Sequence, residues 1–392
     1  MKAIPINLRP NVLVDTGRAS YADVIHQLPR SGGVRECFIA RPSKVLASCD
    51  YSGLELVTHA QNCVYTVGFS KLGEALNAKI KVHDALAATF LGVAYGDFQR
   101  AMKGETLVAG NGKKLTPKLV KAARQAAKPA NFGFGGGMGA VRLVQQQRKQ
   151  GPDTVAANGK KYKGLRFCVL LGAEACGVEK ITEYKRKVIT PTCAECIRVA
   201  EDIRTGWFRQ WPENEPYFKF VTDCVDNGQE VERDGVRFRL KPGQIKQHTS
   251  GRLRGGVEFC SGANGFFQGL AGDGAKRALT RVFRECYDET YRMPNGERSP
   301  LYGCRTILFA HDELIVEGDE SSAHIWAERL SVVMIESMRE FTPDVIVEAP
   351  AAICRRWFKG MEPVIHMIPG FGWGLVPWTP EHNPETCQEC KR

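Results

Sequence analysis

Two short apolar runs lie far apart in the chain, Lys44-Val45-Leu46-Ala47-Ser48-Cys49 and Thr306-Ile307-Leu308-Phe309-Ala310. The first runs directly into Asp50, and the second reaches Asp312 through His311. Runs of this length and composition read as buried strands. Leu314-Ile315-Val316 follows as a return limb, which makes the second segment a tight hairpin with Asp312 at its tip. After Asp50 the pattern turns helical from Leu54 through Ala60, placing Asp50 at a strand-to-helix junction. Singly, an aspartate in either place is usually a turn or cap residue. Should the two strands be neighbours in one sheet, both carboxylates emerge on one edge and can hold two divalent ions about 3.5–4 Å apart, the arrangement phosphoryl transfer needs.

A second feature lies between them. Thr116-Pro117 is a helix start, Thr as N-cap and Pro at the first helical position, and the helix should run to about Phe134 before Gly135-Gly136-Gly137 stops it. Lys113 to Lys128 contains six basic residues and no acid. At 100° per residue Lys118, Lys121, Arg124, Lys128 and Phe132 fall within about a third of the circumference. A solvated face is the ordinary reading of such a stripe. With no acid in the stretch and an aromatic in register, the face also suits a triphosphate, with Phe132 against sugar or base. Pro129 removes a hydrogen bond from the Gln125 carbonyl at a cost of about 3 kcal/mol, so a kink is expected there.

The chain has 392 residues, room for two or three domains, and its 43% hydrophobic and 25% charged residues exclude a disordered chain and a disulfide-stapled miniprotein. A net charge of +11 makes a polyanion a plausible partner. The 14 cysteines are scattered through apolar contexts and read as reduced thiols. No secretory leader and no run of about 18 apolar residues is present, so no membrane association and a reducing, cytoplasmic location are expected. Residues 146–165 read as a basic surface loop, and 230–240 as a hairpin turning at Asp234-Gly235. The tail after Gly370 reads as irregular.

Taken together, Asp50-Tyr51-Ser52-Gly53-Leu54-Glu55-Leu56, Arg124-x-x-x-Lys128-x-x-x-Phe132-Gly133 and His311-Asp312-Glu313 resemble motifs A, B and C of the family A DNA polymerases, in the family's order. Thr16-Gly17-Arg18, Val82-His83 and Asn264-x-x-x-Gln268-Gly269 are supporting matches. The resemblance covers about Asp15 to Gly360. It implies an α/β (α+β) right-hand polymerase with an antiparallel palm sheet and helical fingers: palm over 1–62, fingers over 63–222, and palm with a C-terminal tail over 223–392. The implied activity is template-directed addition of deoxynucleotides to a primer 3′ end.

In that reading Asp50 and Asp312 are catalytic and bind two Mg2+ ions, with the Tyr51 carbonyl as a further ligand and Glu313 beside them. Arg124, Lys128 and His83 hold the nucleotide's phosphates, and Phe132 stacks on the deoxyribose. Glu55 excludes a 2′-hydroxyl. Arg18, Asn264, Gln268 and His311 contact the primer and template. The sequence departs from the family pattern at Gly136, where a tyrosine is frequent, and at Gly53, where a glutamine is frequent. Only fifteen residues precede Thr16, so thumb and 3′–5′ exonuclease domains are expected to be absent and carried by a separate polypeptide or by the rest of a longer product. The style of motif B points to a phage-type enzyme working in the host cytoplasm. Primer-template DNA and deoxynucleoside triphosphates are the implied partners.

Two alternatives are a single-subunit RNA polymerase, which Glu55 argues against, and a non-catalytic DNA-binding replisome subunit. Retention of Asp50, Arg124, Lys128 and Asp312 weighs against the second. Outside the resemblance, Cys193-x-x-Cys196 and Cys387-x-x-Cys390 have zinc-ligand spacing and are expected to meet only if the tail folds back onto the first pair.

Overall fold

The computed structural model describes residues 34–156, 158–358 and 360–379, together with Leu28 and the short pairs Pro10–Asn11 and Ser20–Tyr21. Arg18, Cys387 and Cys390 lie outside the described residues. The chain divides into two compact units. One comprises Met1–Thr58, Gln247–Arg252 and Phe267–Arg392, the other His59–Lys246 and Leu253–Phe266.

The first unit is built on a four-stranded antiparallel sheet of Lys44–Asp50 (β1), Arg305–Ala310 (β2), Glu313–Asp319 (β3) and Ala351–Cys354 (β4). The spatial order is β2-β3-β1-β4. The strand segments read from sequence are therefore neighbours, β1 lying against the return limb of the hairpin. β1 and β3 are buried almost throughout, as expected of central strands covered on both faces. On one face the Ala323–Arg339 helix packs against the strands. On the other, Leu46, Leu308, Ala310, Ile315 and Cys354 gather around Trp357, with Phe38 set edge-on to its indole at 5.5 Å between centroids.

The second unit is mainly helical. Its organising element is the Pro117–Gly135 helix, capped by the Thr116 side chain, which accepts from Leu119 N at 3.2 Å. The helix runs continuously through Pro129 and ends before Gly137, whose φ of +84° no helix continues. Val120, Ala123, Ala126, Ala127, Ala130 and Phe134 face inward, and the small alanines let the Val82–Leu91 and Ala194–Gln210 helices approach. Phe134 meets Trp207 edge-on at 5.7 Å. The Glu230–Arg233 and Val236–Arg239 strands form the expected hairpin, with both turn residues, Asp234 and Gly235, at positive φ.

Two segments differ from the sequence reading: the tail after Gly370 is not irregular throughout, since Gly372–Val376 pairs antiparallel with Val364–Ile368, and residues 146–165 are not one loop. Residues 146–150 are not loop but the last turn of the Ala140–Gln150 helix, and Thr154–Val155 pairs with Lys161–Tyr162 in a small hairpin. Leu143, Val144 and Gln147 supply the inward face of that helix, which the surrounding glutamines and basic residues conceal. Among the described residues no helix is long and apolar enough to cross a membrane.

Candidate functional site

Backbone register sets the acidic edge in the first unit. Glu313 pairs directly with Asp50 across β3 and β1, so Asp312, one residue before Glu313, stands at the same end of the sheet. Cross-strand partners of this kind bring their Cβ atoms to about 5 Å. Asp50 and Asp312 are both half-buried. The two-residue turn between β2 and β3 consists of His311 and Asp312, and His311 has φ +60°. A β-carbon in that region is disfavoured by about 1–2 kcal/mol. The hairpin tip is thus held in a conformation that local preference alone does not choose, as happens at functional sites.

The neighbouring groups fix this edge from beneath. Glu313 is buried and turned inward, where its carboxylate accepts from Ser48 Oγ at 2.5 Å and from Trp357 Nε1 at 3.1 Å. The sequence reading placed it among the catalytic groups; in the structure its carboxylate is buried on these two donors. Tyr51 buries its ring and donates its hydroxyl to the Met334 carbonyl at 2.7 Å. Ser52 N donates to Glu348 O at 2.9 Å. Because the peptide is trans and planar, that bond aims the Tyr51 carbonyl away from Glu348. Burial pushes the Cys49 thiol well above its ordinary range, and the charges of Asp50 and Glu313 push it further. Burial likewise raises the Tyr51 hydroxyl, with Cys49 and the Asp312 charge adding to it. In both, burial is the leading cause and a neighbouring carboxylate charge adds to it.

Glu55 sits half-buried in the first turn of the Leu54–Val67 helix, just after Gly53 at φ +61°. Glutamine in place of Gly53 would carry a β-carbon in the left-handed region, which is the physical reason for glycine here. Gln268 follows Asn264 by one turn on the Phe259–Tyr287 helix.

The second unit brings together His83, Arg124, Lys128 and Phe132. The His83 and Phe132 rings stand 5.2 Å apart. Arg124 has an acidic partner that its own helix lacks: Asp84, 2% exposed, accepts from Arg124 Nε at 2.7 Å and from Gln99 Nε2 at 2.8 Å. The cationic stripe is thus anchored by a buried carboxylate on the neighbouring helix. Sequence reasoning misses Asp84 because nothing local links it to Arg124.

His83 is neutral near pH 7. Burial, then the Lys128 and Arg124 charges, lower it to about 4. Its tautomer follows from its neighbours. Trp207 Nε1 can only donate, and it meets Asn131 Oδ1 at 3.1 Å. The Asn131 amide nitrogen therefore faces Val82 O at 3.2 Å and His83 Nδ1 at 3.0 Å. Nδ1 accepts, the proton resides on Nε2, and His83 offers an N–H donor beside two cations.

Asn264 Nδ2 donates to Gly136 O at 3.2 Å and to Cys260 O at 2.8 Å. A β-carbon on Gly136 would stand 2.3 Å from Asn264 Oδ1, so Asn264 occupies the space that a side chain at 136 would need.

Cys193 and Cys196, singled out by spacing, converge with Cys168 and Cys176, their four sulfurs lying within 4.8 Å of one another. The second pair expected from sequence, Cys387 and Cys390, is outside the described residues, and Cys168 and Cys176 take that place. Their seven-residue spacing carries no familiar ligand signature.

Residues 12–359 match the family model described as DNA polymerase family A. No curated protein matches the chain. Among solved structures it is similar to the POL domain of Pol1 from M. smegmatis in complex with DNA primer-template and dNTP, at 19% identity and a TM-score of 0.55. That likeness covers 90% of this chain and 48% of the other, so the chain spans about half the length of this solved relative, with which it shares the fold.

Proposed function

We infer, given that the chain belongs to DNA polymerase family A, that it extends a DNA primer by phosphoryl transfer from deoxynucleoside triphosphates, with the first unit as palm and the second as fingers. The observation that carries this reading is the β1–β3 register, which sets Asp312 beside Asp50 at one end of the sheet.

The groups there, two half-buried carboxylates and the Tyr51 backbone carbonyl that follows Asp50 in the chain, are hard oxygens of the kind Mg2+ takes. Asp50, Asp312 and the Tyr51 carbonyl would hold the ions. When bound, a Mg2+ pair supplies acidification of the primer 3′-hydroxyl and neutralisation of the departing pyrophosphate. The protein's own part is to hold these donors without reorganisation: the ladder fixes the strands, and Glu313, tied to Ser48 and Trp357, braces the tip from below.

On the fingers, Arg124 engages Asp84 through Nε, so its two Nη groups are the part of the fork that would meet a phosphate. Lys128 adds a second cation, and His83 donates from Nε2 without adding charge. Phe132, packed on His83, presents a ring to the deoxyribose. Lacking a hydroxyl there, it disfavours dideoxynucleotides. Glu55 takes up the space of a 2′-hydroxyl, which would be left buried and unpaired. Arg18, Asn264, Gln268 and His311 would line the primer and template.

Primer extension tests the reading. Asp50→Asn and Asp312→Asn should each abolish incorporation while circular dichroism and DNA binding stay near wild type; extension at the parental rate by either variant would sink it. Glu55→Ala should raise ribonucleotide incorporation relative to deoxynucleotide, and an unaltered ratio would remove Glu55 from its role.

A further inference from the structure

The cysteine cluster lies within the second unit and takes no part in the reaction described above. Cys168 belongs to the single-turn Phe167–Leu170 helix, and Cys176 to the loop that follows. Cys193 ends the Lys187–Cys193 strand and precedes the Ala194–Gln210 helix, whose first turn carries Cys196. Cys168, Cys193 and Cys196 are buried and Cys176 half-buried.

We propose that Cys168, Cys176, Cys193 and Cys196 bind one Zn2+ ion as a closed, structural tetrathiolate that anchors the Lys180–Cys193 hairpin to the helices. Zn–S bonds of about 2.3 Å in a tetrahedron set neighbouring sulfurs about 3.75 Å apart. The sulfurs here stand 3.7 Å apart for Cys176 and Cys196 and 3.3 Å for Cys168 and Cys196, and all pairs lie within 4.8 Å. These separations exceed the roughly 2.05 Å of a disulfide, and all four cysteines are free. On binding, each thiol releases its proton to solvent and the site becomes a dianion.

Two further observations fit a metal rather than ordinary thiol packing. The hairpin of Lys180–Tyr184 and Lys187–Cys193 is exposed or half-exposed along most of its length, burying only Thr192 and Cys193. Val188 and Val178, in the loop before it, are 90% and 89% exposed. An isolated two-stranded hairpin is marginal in water, so apolar burial does not hold this one. The cluster sits at its base, where a staple is needed. Arg166 immediately precedes the Cys168 helix, and the Arg148 backbone packs against Gly164, two residues before Arg166. Buried Arg148 Nε and Arg166 Nη1 find no acceptor among the described residues. Unpartnered guanidinium donors in this segment are available as the outer shell that an anionic tetrathiolate calls for.

The proposal is independent of the polymerase reading and is tested on the full chain. Elemental analysis after dialysis against metal-free buffer should find one zinc per chain, retained in a Cys260→Ser control outside the cluster and lost in Cys176→Ser. Because a cysteine variant can misfold, the unaltered chain supplies a second measurement: after chelation and reloading with Co2+, it should show the thiolate charge-transfer and red d–d absorption of a tetrahedral sulfur site, displaced by one equivalent of Zn2+. Zinc well below one per chain together with an octahedral Co2+ spectrum would overturn the proposal, and so would iron in the purified chain in zinc's place.

Discussion

Asp50 and Asp312 owe their placement to backbone: a seven-pair ladder between β1 and β3 and a two-residue turn at the tip. The cationic face on the Pro117–Gly135 helix is assembled differently. Its groups are held by side-chain contacts between two helices, with Asp84 of the Val82–Leu91 helix gripping Arg124, and Asn131 of the Pro117–Gly135 helix setting the His83 tautomer in return. A ladder resists displacement cooperatively, whereas a side-chain clamp gives way when one atom is changed. The edge that would hold the metals is thus the stiffer construction, and the face that would meet a ligand arriving and leaving each cycle is the adaptable one.

The contrast can be broken at several points. The largest effect is expected at the edge: Asp50→Asn or Asp312→Asn should lower single-turnover incorporation by more than about a thousandfold, with no compensation from raised nucleotide. Lys128→Ala should cost about a hundredfold in kcat/KM for the incoming nucleotide, the scale of one lost charged donor. Asp84→Asn, which touches no ligand in this reading, sharpens the comparison. It should release Arg124 and cost about tenfold, mainly in KM, with Lys128→Ala adding less than independently on top of it. If Asp84→Asn left nucleotide kinetics unaltered, the clamp would be scaffold alone.

The smallest effect concerns stability. His83 and the buried His59, which bonds Asn214 Oδ1 at 2.7 Å, are both lowered to about 4, chiefly by burial. Their folded values lie below the ordinary 6.5, so the unfolded chain takes up these protons first. Their contribution is complete above pH 6.5 and is lost as pH falls toward 4. Urea midpoints measured across that range should decline, and His83→Gln should flatten part of the decline.

The elements legible in the amino-acid sequence are those specified by local pattern. The β1 run, the β2–β3 hairpin, the capped helix with its glycine stop and the Asp234-Gly235 turn each carry their instructions within a few residues. The Phe259–Tyr287 helix does not declare itself, because its five glycines between Gly262 and Gly274 lower local helix preference and only packing sustains it. Asp84, Cys168 and Cys176 are likewise invisible to pattern: each acts through a partner brought near by the fold, and no spacing announces such a meeting. For the same reason the acidic edge is only conditional in the sequence, and it takes the register to make β1 and β3 neighbours.

That register also bears on how the chain comes off the ribosome. β1 is synthesised early, yet its partners β3 and β4 begin at Glu313 and Ala351. At about 5–20 residues per second, β1 waits roughly 10–50 s for the first of them. The helical unit lies entirely within that interval and can collapse while translation continues. The central strand of the sheet meanwhile has both edges open, a state in which slow codons downstream or a missing chaperone would be felt first as aggregation, before any loss of chemistry.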